Sequence, residues 1–206
     1  MGTPAEAAVL ELPPRRSPRA AAIAALRPRQ WTKNLLLFAG IIFAAKLGDP
    51  GRWVAAMAAF VSYCAASSAA YIVNDLRDVA ADRLHPVKRS RAIARGELAP
   101  RRALMLAAAL LALALMLAAV LGPRSLACLI AFVLLQGAYS LVLKRIELVD
   151  VLTIAGLFVL RAAAGAIAVD VRISDWLLLC TFLLALFVAL GKRRAELGLE
   201  GVHARP

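Results

Sequence analysis

Long apolar blocks alternate along this chain with short charged or Gly/Pro-rich breaks. The blocks approach the ~20 residues that a helix needs to cross a bilayer. Six are read, at residues 31–47, 53–73, 103–122, 125–143, 149–169 and 173–191. The first is the weakest, because only twelve residues separate Lys33 from Lys46 and both ammonium groups must snorkel. Gly48-Asp49-Pro50-Gly51 and Gly122-Pro123-Arg124 read as tight turns from their Gly/Pro content. The pattern predicts an all-α integral membrane protein, with a transmembrane helical bundle of about six spans over residues 31–191. Residues 1–30 are rich in Pro, Arg and Ala and lack the apolar stretch of a secretory signal. They are expected to form a disordered basic tail, with a second tail over 192–206 and an Asp-rich loop over 74–102.

Composition agrees with the blocks. The 206 residues are 62% hydrophobic, too apolar for an ordinary soluble domain. The formal net charge of +12 would point to nucleic acid in a soluble protein, but its placement argues otherwise. Of 25 Lys and Arg residues, six run up to Lys33, eight lie between Arg77 and Arg102, two are Lys144 and Arg145, and four follow Gly191. Only Lys46, Arg52, Arg124 and Arg172 fall at the alternate turns, with Arg161 inside a span. Such a bias is the positive-inside pattern, and it assigns the termini, the Asp-rich loop and the Lys144 turn to the cytoplasmic face of the cell membrane. A nucleic-acid patch would not alternate with topology, so nucleic acid is excluded as a partner. Cys64, Cys128 and Cys180 each sit inside an apolar block without C-x-x-C spacing, as small core residues do. Two histidines, His85 and His203, are too few for a zinc cluster.

Candidate chemistry begins where the second block ends, at Asn74-Asp75-Leu76-Arg77-Asp78-Val79-Ala80-Ala81-Asp82. If the helix continues, Asp75, Asp78 and Asp82 stand at i, i+3 and i+7 and share one face. Three close carboxylates repel one another unless a cation holds them. Oxygen-only ligands of this kind suit Mg²⁺, which shares its shell with waters and substrate phosphates. The basic stretch that follows, from Arg83 through Lys88 to Arg91, is able to neutralise phosphate oxygens. The competing reading is a solvated charged loop between two spans.

A second charged region runs from Tyr139 through Lys144 to Asp150, with Arg161 farther along. Asp150 and Arg161 are about three helical turns and roughly 16 Å apart on one face. An arginine that deep faces a partner or a wet cavity, and a structural hydrogen bond to a neighbouring helix is the alternative. Lys144 is placed to hold a phosphate, or else only sets topology. Asp150 is placed to hold a second cation or a sugar hydroxyl, or else is an N-terminal helix charge. Acids for Mg²⁺, bases for phosphates and lipid-facing gaps suit a reaction in which diphosphate leaves a carbon and a membrane-dissolved molecule accepts that carbon.

These residues resemble the UbiA prenyltransferase superfamily, whose first aspartate-rich motif is N-D-x-x-D-x-x-x-D. Within it the chain is most similar to the decaprenyl-phosphate phosphoribosyltransferase family. The likeness is carried by Leu26-Arg27-Pro28-Arg29-Gln30-Trp31-Thr32-Lys33-Asn34, by Asp82 through Arg91, by Tyr139-Ser140-x-x-Leu143-Lys144 with Asp150, and by Leu160-Arg161-Ala162-Ala163-Ala164-Gly165. The resemblance implies transfer of a 5-phosphoribosyl group from PRPP to a polyprenyl (decaprenyl) phosphate, with release of diphosphate, for cell-wall arabinan synthesis. It implies that Asn74, Asp75, Asp78 and Asp82 hold Mg²⁺ and the PRPP diphosphate. Lys88, Arg91 and Lys144, with Arg83, would bind phosphates, and Arg161 is a further substrate-binding candidate. Tyr139 and Asp150 would meet the ribose side or a second metal's water, and Lys33 and Asn34 the polyprenyl phosphate. The acceptor phosphate is already an anion, so no general base is required and His85 is expected to be structural.

The chain departs from that pattern in three places. The family's R-P-I-A-S-G loop is here Ala92-Ile93-Ala94-Arg95-Gly96 after Arg91. The second aspartate motif is reduced to Asp150. The family's usual bundle of about nine spans is met here by six, so a truncated gene product, a fragment or an inactive chain is expected. An aromatic prenyltransferase acting on a polyprenyl diphosphate, an inactive truncated homologue and a small transporter or structural membrane protein remain as alternatives. A homo-oligomer is left open.

Overall fold

A computed structural model of the protein describes residues 14–203. Helix α1 (Pro18–Leu26) opens it, capped by Ser17, whose Oγ accepts from the Ala20 amide at 3.3 Å. Pro18 occupies the first turn, where a missing N–H costs nothing. Arg27, with φ 54°, ends the helix and redirects the chain. The expected disordered tail over 1–30 is corrected here: residues 18–26 are helical, and residues 1–13 lie outside the described residues.

The first expected span is not a regular α-helix. A 3-10 helix covers Pro28–Phe38 in 11 residues, and the short α2 (Ala39–Phe43) adds 5 more. At about 2.0 Å rise per 3-10 residue and 1.5 Å per α residue, the pair reaches roughly 30 Å, the thickness of a hydrocarbon core. An α-helix of the same residues would reach only about 24 Å. Arg29 and Lys33 lie within that segment, and the stretch from Asn34 to Phe43 that follows Lys33 reaches only roughly 18 Å, short of a full span.

Five longer helices follow: α3 (Pro50–Arg77), α5 (Pro100–Val120), α6 (Pro123–Leu141), α7 (Glu147–Ala168) and α8 (Asp175–His203), with the short α4 (Val79–Leu84) between α3 and α5. Each of the five is long and apolar enough to cross a membrane. Proline begins α3, α5 and α6, and Asp49 caps α3 by accepting from the Arg52 amide at 3.2 Å. The α8 backbone continues to His203, so no separate segment begins at residue 192.

Helix α3 is the central element. Its buried positions are mostly small, among them Ala56, Ala59, Ser62, Ala65, Ala66, Ser68 and Ala69, so α5 and the 3-10 segment approach closely. Ser62 Oγ donates to the Ala114 carbonyl at 2.9 Å and ties α3 to α5. Tyr63, Phe132, Leu129, Leu157 and Leu37 fill the middle of the bundle. The 3-10 segment and α7 come closer still. A Cβ added to Gly165 would overlap the Leu37 carbonyl, and one on Gly40 would lie 2.7 Å from Ala166 Cα. Only glycine allows backbones to meet at that separation. At the other end, Arg52 donates to the Val169 and Asp170 carbonyls and fixes the turn between α7 and α8.

Candidate functional site

The acidic motif does not continue as one helix. Helix α3 ends at Arg77, and Asp78 (φ −93°, ψ 8°) both closes α3 and opens α4. The shared face expected for Asp75, Asp78 and Asp82 is therefore broken. Asp75 and Asp82 are buried, and both reach one nitrogen: Arg91 Nη1 donates to Asp75 Oδ1 at 3.1 Å and to Asp82 Oδ2 at 2.7 Å. Arg27 Nη2 donates to the same Asp75 oxygen at 2.5 Å. Asp78 turns away; its Oδ2 accepts from Asn74 Nδ2 at 3.0 Å, and Lys144 Nζ stands 4.0 Å off.

The loop that follows is held from both sides. Ile93 and Leu98 bury themselves against Ala25, Ala69 and Ile72, although the loop lacks the proline and serine of the R-P-I-A-S-G pattern. Glu97, buried at its side chain, pairs with Arg16 at 3.1 Å and Arg95 at 3.2 Å. Arg83 Nε donates to the Ala94 carbonyl at 3.1 Å, and His85 Nδ1 accepts from the amides of Val87 and Lys88. Lys88 is exposed. The sequence expectation of phosphate ligands thus meets three different environments: Arg91 on two acids, Arg83 on a carbonyl, and Lys88 in the open.

Beside this acid cluster, a cavity of about 750 Å³ opens between the 3-10 segment, α3, α6, α7 and α8. Lys33, Tyr139, Asp150 and Arg161 line it, together with Tyr71, Lys192 and Arg193, which the sequence reading did not single out for a role. Asp150 is 3.8 Å from Arg193. Arg161 is 4% exposed and bends back one turn, with Nη1 donating to the Leu157 carbonyl at 2.9 Å. Its Nε donates to Asn34 Oδ1 at 2.8 Å, and its guanidinium carbon lies 4.6 Å from the Phe132 ring centroid and 5.5 Å from that of Phe158. Asn34, itself 1% exposed, donates onward to Cys64 Sγ at 3.3 Å. Its amide is thus committed to Arg161 and Cys64 inside the bundle.

Two poles result, and α3 joins them. Tyr71 on the cavity wall and Asp75 in the acid cluster are one turn apart, about 6 Å along the helix axis. Arg27 connects them, pairing with Asp75 while its guanidinium carbon lies 5.0 Å from the Tyr71 ring centroid. Arg27 was missed in the sequence because its partner Asp75 lies 48 positions away, and Glu97 because its pairing with Arg16 spans 81.

A divalent cation suits the donor chemistry here, since Asn74, Asp75, Asp78 and Asp82 offer only hard oxygens and amide groups. Two of the carboxylates already converge on one cationic group, the Arg91 guanidinium. Among the described residues, no three His, Cys, Asp or Glu side chains close on a common point as metal ligands. A metal taking the place between Asp75 and Asp82 requires Arg91 to withdraw.

A profile of the UbiA prenyltransferase family matches residues 34–195. Decaprenyl-phosphate phosphoribosyltransferase of Mycolicibacterium smegmatis is 39% identical over 181 residues, covering 86% of this chain and 57% of that protein. The protein of the same name from Corynebacterium glutamicum is 40% identical over 179 residues, covering 85% and 54%. The chain therefore spans little more than half the length of these curated relatives. A solved UbiA homologue from Archaeoglobus fulgidus bound to GPP and Mg²⁺ superposes with a TM-score of 0.66 at 24% identity, over 81% of this chain and 60% of that one. A structure of digeranylgeranylglyceryl phosphate synthase gives 0.71 at 18% identity, over 85% and 61%. A profile match across most of the chain, relatives near 40% identity and a common helical bundle lead to one conclusion: this is a multi-pass membrane protein of the UbiA prenyltransferase family.

Proposed function

We propose that the chain transfers a 5-phosphoribosyl group from PRPP to a polyprenyl phosphate such as decaprenyl phosphate, releasing diphosphate and supplying a precursor of cell-wall arabinan. The observation that carries this reading is the adjacency of the acid cluster and the amphipathic cavity, one helical turn apart on α3. The names of the relatives point the same way. The positive-inside bias supports a reaction at the cytoplasmic face of the cell membrane.

Asn74, Asp75, Asp78 and Asp82 would hold Mg²⁺, which when bound stabilises the charge growing on the diphosphate. Lys144, beside Asp78, and Lys88 on the exposed loop supply positive charge to the phosphates of PRPP. Arg91, once released from its carboxylates, adds a bidentate donor to the same anion. Tyr139 and Asp150 face the ribose from the cavity wall. Lys33 meets the acceptor phosphate. The ribose C1–O bond to diphosphate breaks with its electron pair on the leaving group, and an acceptor phosphate oxygen forms the new bond to C1. That oxygen is anionic at neutral pH, so no proton has to be removed. The apolar walls keep water from the electron-poor carbon.

The test is to incubate membranes carrying this chain with labelled PRPP and polyprenyl phosphate, with and without Mg²⁺, beside a prenyl diphosphate and an aromatic acceptor. Label should enter the lipid phase only when PRPP, lipid phosphate and Mg²⁺ are all present. Turnover of the prenyl diphosphate onto the aromatic acceptor instead would replace this reading with aromatic prenyl transfer.

A further inference from the structure

We propose that Arg124, Ser125 and Asp170 form a headgroup site, at the opposite end of the bundle from the acid cluster, for an aminophospholipid held by its phosphate and its primary ammonium. The site lies outside the transfer machinery and stands or falls without it.

Distance separates the two regions. Helix α5 starts beside the loop that bears Leu98 and rises about 30 Å over its 21 residues to Val120. There a pocket of about 500 Å³ lies where the turn between α5 and α6 meets the turn between α7 and α8. It shares no lining residue with the larger cavity.

Its two walls have opposite polarity. One is the start of α6, a helix of 19 residues whose N-terminal end carries the positive pole of its dipole. Gly122 provides no side-chain cap, so the Arg124 and Ser125 amides have no intrahelical partner. Ser125 lines the pocket at 6% exposure, and its Oγ has no hydrogen-bond partner among the described residues. An unmatched buried hydroxyl is costly, and a phosphate oxygen here would satisfy it together with the amides. Arg124 adds a full positive charge to the same wall. The other wall is the end of α7, a negative pole, followed by Asp170. Arg52 fixes the Asp170 backbone by donating to its carbonyl at 3.0 Å, while its own ion pair is with Asp49. Among the described residues, neither the Arg124 guanidinium nor the Asp170 carboxylate has an ion-pair partner, although both residues line one pocket.

A ligand for this pocket needs both signs. A simple anion would bring negative charge to Asp170, and a simple cation would meet Arg124. A phosphate joined to a primary ammonium suits both walls at once, with N–H donors for the carboxylate. A trimethylammonium headgroup has no such donors. Leu121, Ile167 and Ile173 complete the lining with apolar surface. Helices α5, α6 and α7 are each long and apolar enough to cross a bilayer, so their ends lie at headgroup depth with acyl chains alongside.

The experiment strips the purified chain of lipid in detergent, then adds back phosphatidylethanolamine or phosphatidylglycerol with matched acyl chains. Retained lipid is counted by native mass spectrometry. The unaltered chain should retain the ethanolamine lipid in preference. Arg124→Gln should lower retention of both lipids about fivefold, the effect of one basic residue at a membrane surface, and Arg124→Lys should restore it. Asp170→Asn should abolish the preference while keeping the turn, because asparagine tolerates the left-handed φ of 48° found there. Ser125→Ala should weaken both lipids, whereas a merely structural hydroxyl could be removed with no effect on either. Equal retention of the two lipids by the unaltered chain overturns the proposal. So does a preference that survives Asp170→Asn, or retention that ignores both Arg124→Gln and Ser125→Ala. Displacement of the lipid by an equal concentration of soluble glycerophosphoethanolamine would overturn the lipid assignment and leave a small-molecule pocket.

Discussion

Asn34 Oδ1 accepts a hydrogen bond from Arg161 Nε at 2.8 Å, joining residues 127 positions apart at the centre of the bundle. Neither residue is rare or costly on a protein surface. Both are nearly inaccessible here, and the bond converts a buried guanidinium from a liability into a fixed charge at the cavity wall.

Asn34→Leu removes that acceptor and leaves part of the Arg161 guanidinium without a partner. Unfolding in detergent should report a loss of about 1–3 kcal/mol. The double variant Asn34→Leu/Arg161→Met should recover part of it, with a coupling of roughly 0.5–3 kcal/mol, because the orphaned donor is gone. Strictly additive losses would show that the two side chains act independently.

Arg91 holds Asp75 and Asp82 together, and both carboxylates are buried. Arg91→Ala should destabilise the fold by about 2–3 kcal/mol, less than a fully buried pair because the arginine side chain is partly exposed. Adding Asp82→Asn should relieve the repulsion that remains. Denaturant midpoints of the two variants decide the point: the double variant must be the more stable.

At Gly165 a methyl group has nowhere to go, since the Leu37 carbonyl occupies its position. Gly165→Ala is expected to cost about 2–3 kcal/mol through overpacking. Gly137→Ala in α6 meets nothing within 4 Å and should be neutral or up to about 1 kcal/mol stabilising. Thermal unfolding of the pair in the same detergent provides the contrast.

Asp78 is the half-exposed acid, bonded to Asn74 and near Lys144. Asp78→Asn should lower phosphoribosyl transfer about 100-fold or more while membrane insertion is unchanged. Chelating divalent metal from the unaltered protein should give the same loss, and restoring Mg²⁺ should reverse it. Full turnover by the variant would remove Asp78 from the metal site. Lys144→Ala should raise the KM for PRPP while leaving that for the lipid unchanged; the opposite split would exchange the two substrates' positions.

Much of the architecture was legible in the chain. Apolar blocks, with turn signals at Pro50 and Pro123, located α3, α5, α6 and α7 to within a few residues, because bilayer thickness and helix rise tie length to composition. The first span was misjudged in kind, since periodicity does not distinguish a 3-10 helix, and the Gly40 and Gly165 contacts that hold it come from α7. The acids were found, yet not the break at Asp78 that divides them.

The residues themselves determined that the chain fills a membrane, which end carries charge and which carboxylates gather there; these follow from local hydrophobicity and the cost of burying ions. Tertiary structure alone decided that Arg27 and Arg91 answer the buried acids, that Asn34 orients Arg161, and that a cationic cavity adjoins the acid cluster. Those pairings join residues from 9 to 127 positions apart, and only the packing of α3 and α7 against their neighbours brings such distant groups within bonding distance.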